Sequence, residues 1–164
     1  MRLGLIRKTH EMNKLQINIE PPSEGWLRIR IAGPNGEARL CASYTPRDTF
    51  SELVHAVGTL YRYGDDQTVL VNEEPEQVEL KLLKRGDKLV IEVVRRGATT
   101  MRNECGFNSG CRQFALRFKR TLEETSYETF ADHWRHRPPR HEVLQLWSYF
   151  SAQSRSPQSR TSDP

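Results

Sequence analysis

The chain has 164 residues, with 25 Lys and Arg against 21 Asp and Glu, a net charge of +4 and a pI near 9.1. A chain of this length makes one domain and buries roughly two-thirds of its unfolded surface, so its core needs no disulfide framework or structural metal. The charge is evenly balanced and does not by itself indicate a nucleic-acid binder, and no apolar run reaches the ~18 residues of a membrane span.

Residues 1–14 lack periodicity and read as a loose segment ahead of a single domain, 15–150. Within that segment Arg7-Lys8 interrupts an apolar stretch too short for a signal peptide, which points to a cytoplasmic protein, and Met12 reads as the true start. Leu15-Gln16-Ile17-Asn18-Ile19 alternates apolar and polar residues, the period of a half-buried strand. Pro21-Pro22-Ser23-Glu24-Gly25 breaks it. The next strand, Trp26 to Ala32, places Leu27, Ile29 and Ile31 on one face and Arg28 and Arg30 on the other. Gly33-Pro34-Asn35-Gly36 is turn chemistry. It leads into a third strand, Glu37 to Tyr44, with Ala38, Leu40, Ala42 and Tyr44 on one face and Arg39, Cys41 and Ser43 on the other, so the two strands form a hairpin.

Thr49 and Glu52 have the spacing of a capping box, which satisfies the free N–H groups at a helix start. Phe50, Leu53, Val54, Val57, Leu60 and Tyr61 then form one helical stripe, and Gly64 stops it. Thr68 to Val71 is a short strand, and Asn72-Glu73-Glu74-Pro75 a turn. A second hairpin follows, with Val78, Leu80 and Leu82 alternating on one strand and Leu89, Ile91 and Val93 on the other. Its tip permits two registers: an Arg85-Gly86 loop sets Glu79 opposite Glu92, and a Gly86-Asp87 loop sets Lys81 opposite Glu92.

Residues 95–109 read as a long loop. A helix from Ser109 carries Cys111, Phe114, Ala115, Phe118 and Leu122; a short one, Ser126 to Trp134, buries Tyr127, Phe130 and Trp134. Beyond Pro138-Pro139, Val143, Leu144, Trp147 and Phe150 make the apolar face of a last helix, and 151–164 is a Ser-, Arg- and Pro-rich tail with too little apolar surface to order itself. The fold class is therefore α+β: a mostly antiparallel sheet of about six strands, one face covered by amphipathic helices, and a helical C-terminal part.

Five chemistries are available on paper. Cys105, Cys111, His133 and His136 make up a Cys2His2 set for zinc, although Cys-x5-Cys and His-x2-His depart from the usual ligand spacings. A nucleophile would need a Cys–His pair or the Asp132-His133 neighbours, and no local signature surrounds them. The acid pairs Asp65-Asp66 and Glu73-Glu74 sit in turns, where carboxylates are expected anyway. Arg112, Arg117, Lys119, Arg120, Arg135, Arg137 and Arg140 make the C-terminal helices basic, which would serve nucleic acid, but the interleaved Phe114, Phe118 and Trp147 fall on buried stripes. The wet face of the sheet carries Arg28, Arg30, Arg39, Lys81, Lys88, Glu79 and Glu92, with Cys41, Leu83 and Val90 among them; an arginine-bearing face of this kind suits an acidic protein partner, with Arg28, Arg30, Arg39 and Lys81 as its contacts. Gly33-Pro34-Asn35-Gly36 is no phosphate loop, since it leads into a strand, and no motif calls for a cofactor.

From Phe50 onward the order of a helix, the Glu74-Pro75 turn, a hairpin with Gly86-Asp87 at its tip, then Tyr127 and Trp134 before a proline break and an amphipathic helix resembles a diffuse group of small bacterial proteins. In size and architecture these are similar to the immunity proteins of toxin systems. The resemblance spans residues 50–150 and implies a non-enzymatic binding module whose partner is a toxin-like protein; it supplies no catalytic residues.

Overall fold

The computed structural model describes residues 14–152, so the expectations for the first thirteen residues, Met12 included, and for nearly all of the tail lie outside the described residues. The elements are β1 (Gln16–Ile19), β2 (Trp26–Gly33), β3 (Gly36–Ser43), α1 (Thr49–Tyr63), β4 (Gln67–Asn72), β5 (Gln77–Arg85), β6 (Lys88–Arg95), β7 (Ala98–Gly106), α2 (Phe107–Glu123), α3 (Tyr127–Trp134) and α4 (Arg140–Ser151). The α+β architecture is as read from the sequence, and every strand pair is antiparallel. The strands divide into two sheets, β1-β2-β3 and β4-β5-β6-β7.

Alternation sets the registers. In the first hairpin Gly33 pairs with Gly36, which leaves Pro34-Asn35 as the two-residue loop. In the second, Arg85 pairs with Lys88, so the Gly86-Asp87 loop is the one adopted and Lys81 stands opposite Glu92. Gly86 has φ +61, as the first central residue of a type II′ turn requires. Leu27, Ile29, Ile31 and Leu40 of the small sheet and Val78, Leu80, Leu82, Leu89, Ile91 and Val93 of the large one are buried in a single core with the apolar stripes of α1 and α2. Phe50 of α1 meets Phe118 of α2 and Phe130 of α3 edge-on, with centroids 5.7 and 5.3 Å apart.

Several local expectations are corrected. The span read as a long loop contains β7, with Met101 and Asn103 inward. The amide of Asn103 is fully buried and grips the tip of the first hairpin: its Oδ1 accepts from Asn35 N–H at 2.9 Å and its Nδ2 donates to Gly36 C=O at 3.0 Å. The cap of α1 is Asp48, one residue earlier than the capping-box reading, and Thr49 is buried. Asp48 Oδ1 accepts both from Ser51 N–H and, at 2.8 Å, from the indole N–H of Trp134, tying α3 to the start of α1. On α4 the buried positions are Val143, Leu146 and Phe150; Leu144 is 59% exposed. Tyr127 is at the surface under the Arg140 guanidinium, not in the core.

The acid pair Glu73-Glu74 joins the two sheets. Glu73 Oε1 accepts from the Cys41 N–H of β3 at 3.0 Å and its carboxylate pairs with Arg95 of β6. Glu74 Oε1 accepts from the hydroxyls of Ser43 at 2.6 Å and Thr45 at 3.2 Å, and Asn72 Nδ2 donates to Thr45 C=O at 2.6 Å. Ser43, read as outward, is buried by this contact. Asp66 likewise works locally, accepting from Lys84 N–H at 2.9 Å and from the Arg85 guanidinium at 2.8 Å.

Candidate functional site: an arginine-bearing sheet face

Period-two alternation puts Arg28 and Arg30 on one face of β2, and the register sets Arg30 directly opposite Arg39 of β3 and Arg28 opposite Cys41. Like charges facing each other across a strand pair repel. Glu37, two residues before Arg39 on the same face of β3, relieves the repulsion: its Oε2 accepts from Arg30 at 2.8 Å and its Oε1 from Arg39 at 2.5 Å. Those hydrogen bonds, Arg30 first and Arg39 second, hold the Glu37 carboxyl down at about 2. Glu37 in turn raises the Arg30 guanidinium above its usual range. Arg28 pairs with Glu20 at 3.8 Å and leaves 62% of its side chain in solvent; Arg39 leaves 78%. The three guanidinium groups, with Asn18, Glu20 and Cys41, surround a shallow hollow of about 190 Å³. Its footing is rigid, because Asn103 holds the hairpin tip and Glu73 holds the Cys41 N–H.

The structure brings together three of the four residues singled out in the sequence. Lys81 lies on β5 of the other sheet, 3.3 Å from Glu79 and opposite Glu92, which itself reaches Arg102 at 3.6 Å. On that face Lys81 and Glu92 each pair with a neighbouring charge, and Val90 beside them is only 1% exposed. Glu20 and Glu37, which set the charge of the arginine hollow, were not singled out. The spacing that would have found Glu37 is its i, i+2 relation to Arg39.

The other candidate chemistries are dispersed. His133 Nδ1 accepts from Glu24 N–H at 3.0 Å, and His136 Nε2 lies 2.7 Å from Tyr44 C=O. Cys105 and Cys111 sit instead where β7 runs into α2. The Cys2His2 set is not assembled, and among the described residues no group of three or more His, Cys, Asp or Glu is arranged to hold a metal. Burial pushes all three thiols up, Cys111 to about 12, so each is a poor nucleophile at neutral pH. On α2, Arg117 donates to Ile19 C=O at 3.2 Å and pairs with Glu124, Lys119 pairs with Glu123, and Arg112 lies over the Trp147 ring at 5.4 Å. Arg120, Arg135 and Arg137 are exposed. Among the described residues no helix is long and apolar enough to cross a membrane. Comparison with known protein families, characterised proteins and solved structures gives no match for this chain.

Proposed function

We propose that the chain is a non-enzymatic protein-binding module that presents the outer face of β1-β2-β3 to an acidic protein in the cytoplasm, in the manner of an immunity protein covering a toxin. The observation that carries the reading is the set of three guanidinium groups on one strand pair, paired among the described residues with two carboxylates, Glu20 and Glu37. Arginine on a rigid base is well suited to this role, since its planar fork meets carboxylates bidentately and loses little freedom per bond formed. The raised thiols and the dispersed histidines add support, as they bring no Cys–His pair together among the described residues.

The test is co-purification with the product of a neighbouring reading frame, using the full chain and an Arg28→Glu/Arg39→Glu variant. Partner recovery should fall at least tenfold in the double variant, at ~1.4 kcal/mol per decade. It should stay near the native level in Lys81→Glu, because Lys81 belongs to the other sheet. Equal recovery by the double variant and the native chain would reject the surface.

A further inference from the structure

A groove of about 290 Å³ runs between α1 and α4, remote in role from the sheet face. On α1 the residues His55, Gly58 and Arg62 line it; on α4, Glu142, Gln145 and Tyr149. Both rows have the spacing i, i+3, i+7, which places each on a single helix face. Arg62 closes one end, with its guanidinium 3.4 Å from the Tyr149 hydroxyl and over the Tyr149 ring at 5.9 Å. Glu142 stands seven residues before Tyr149 on α4, about 10 Å along the helix axis at 1.5 Å per residue.

Three features of this groove bear on what it could hold. Gly58 sits inside α1, where glycine weakens a helix, and packing does not demand it: a Cβ there would meet nothing within 4 Å. The empty space over Gly58 is the groove. Second, Arg62 in the last turn of α1, over the Tyr63 and Tyr149 rings, and Glu142 in the first turn of α4 are both exposed, and neither belongs to an ion pair among the described residues. Third, the two charges are opposite in sign and lie at opposite ends, with the Gln145 amide between them.

We propose that this groove binds a short linear zwitterion of tripeptide length, its carboxylate on Arg62 and the Tyr149 hydroxyl and its ammonium group on Glu142. Three extended residues reach about 10 Å, comparable with the seven-residue axial span of α4 from Glu142 to Tyr149. Gln145 supplies a donor and an acceptor for the amide groups between. The site is independent of the sheet face and of any protein partner held there.

The probe is triglycine, titrated calorimetrically into the full chain, with N-acetyl-triglycine and triglycine amide as its blocked forms. Saturable binding of triglycine is expected. Blocking either end, or making Arg62→Gln or Glu142→Gln, should weaken it about tenfold or more, each removing one charge-assisted contact. Gly58→Leu should abolish it by filling the groove while the far-ultraviolet dichroism stays native. No saturable heat up to roughly ten times a millimolar Kd would overturn the proposal. So would equal binding of the blocked peptides, or unchanged binding in the two charge variants; the groove charges would then only complement their helix termini.

Discussion

Gly58 and Gly110 both lie within helices, and helix propensity assigns the same benefit to alanine at each. Packing gives the two substitutions opposite signs. At Gly110 a Cβ would stand 2.6 Å from Cys105 Sγ, 2.6 Å from Leu89 Cδ2 and 3.3 Å from Leu89 Cβ. Those approaches are inside the ~3.5–4.0 Å optimum for heavy atoms. Leu89 and Cys105 are register partners on β6 and β7, and Leu89 is fully buried, so its side chain can give way only into packed neighbours. Overpacking of this kind costs about 1–3 kcal/mol. Alanine in the first turn of α2 returns less than ~1 kcal/mol, so Gly110→Ala should destabilise by roughly 1–2 kcal/mol. Gly58→Ala meets open space and should stabilise by about 0.5–1 kcal/mol. For a domain of this size each kcal/mol moves the melting temperature by roughly 3–4 °C. Paired urea and thermal denaturation followed by circular dichroism reads both. The reasoning fails if Gly110→Ala is as stable as the native chain, or if Gly58→Ala is less stable.

Two further outcomes follow from contacts already described. Asn103→Ala leaves Asn35 N–H and Gly36 C=O without their partner. It should lower the urea midpoint at constant m, corresponding to about 2–3 kcal/mol; a loss below ~0.5 kcal/mol would mean that the hairpin tip does not depend on it. Glu37 has a folded pKa near 2, below the ordinary 4.5, so its contribution to stability is complete above about 4.5 and disappears as pH falls towards 2. The stability difference between the native chain and Glu37→Gln should therefore shrink across that window and be flat above it, and a difference that grows on acidification would contradict the pairing.

Much of the fold was legible because it is local. Alternation in Trp26–Gly33 and Val78–Leu82 fixed which residues face the core, and it put Arg28, Arg30 and Arg39 on one surface. β7 was hidden because its inward positions include Asn103, so a polar residue fell where an apolar one keeps the period. The stripe of α4 was misphased because Leu144 and Leu146 are equally apolar, and only the packing of the helix decides between them. Lys81 was grouped with the arginines because membership of a sheet is a tertiary property that alternation does not carry. For the same reason the groove could not be foreseen: α1 and α4 are separated by four strands and two helices in the chain.

The contact made by Glu73 and Arg95 has a consequence for how copies of this protein meet. β3 is the outer strand of its sheet, and an outer strand offers unpaired backbone groups that invite another chain to add on. Here the Cys41 N–H is taken by the Glu73 carboxylate, and the Arg39 C=O accepts from the Arg95 guanidinium at 3.1 Å. Glu73 from the β4–β5 turn and Arg95 from β6 thus occupy two sites where a further strand would pair. The same ion pair that joins the halves of the molecule therefore also blunts an edge open to self-association, so the arginine face beside it can stay exposed without drawing copies of the chain into a continuous sheet.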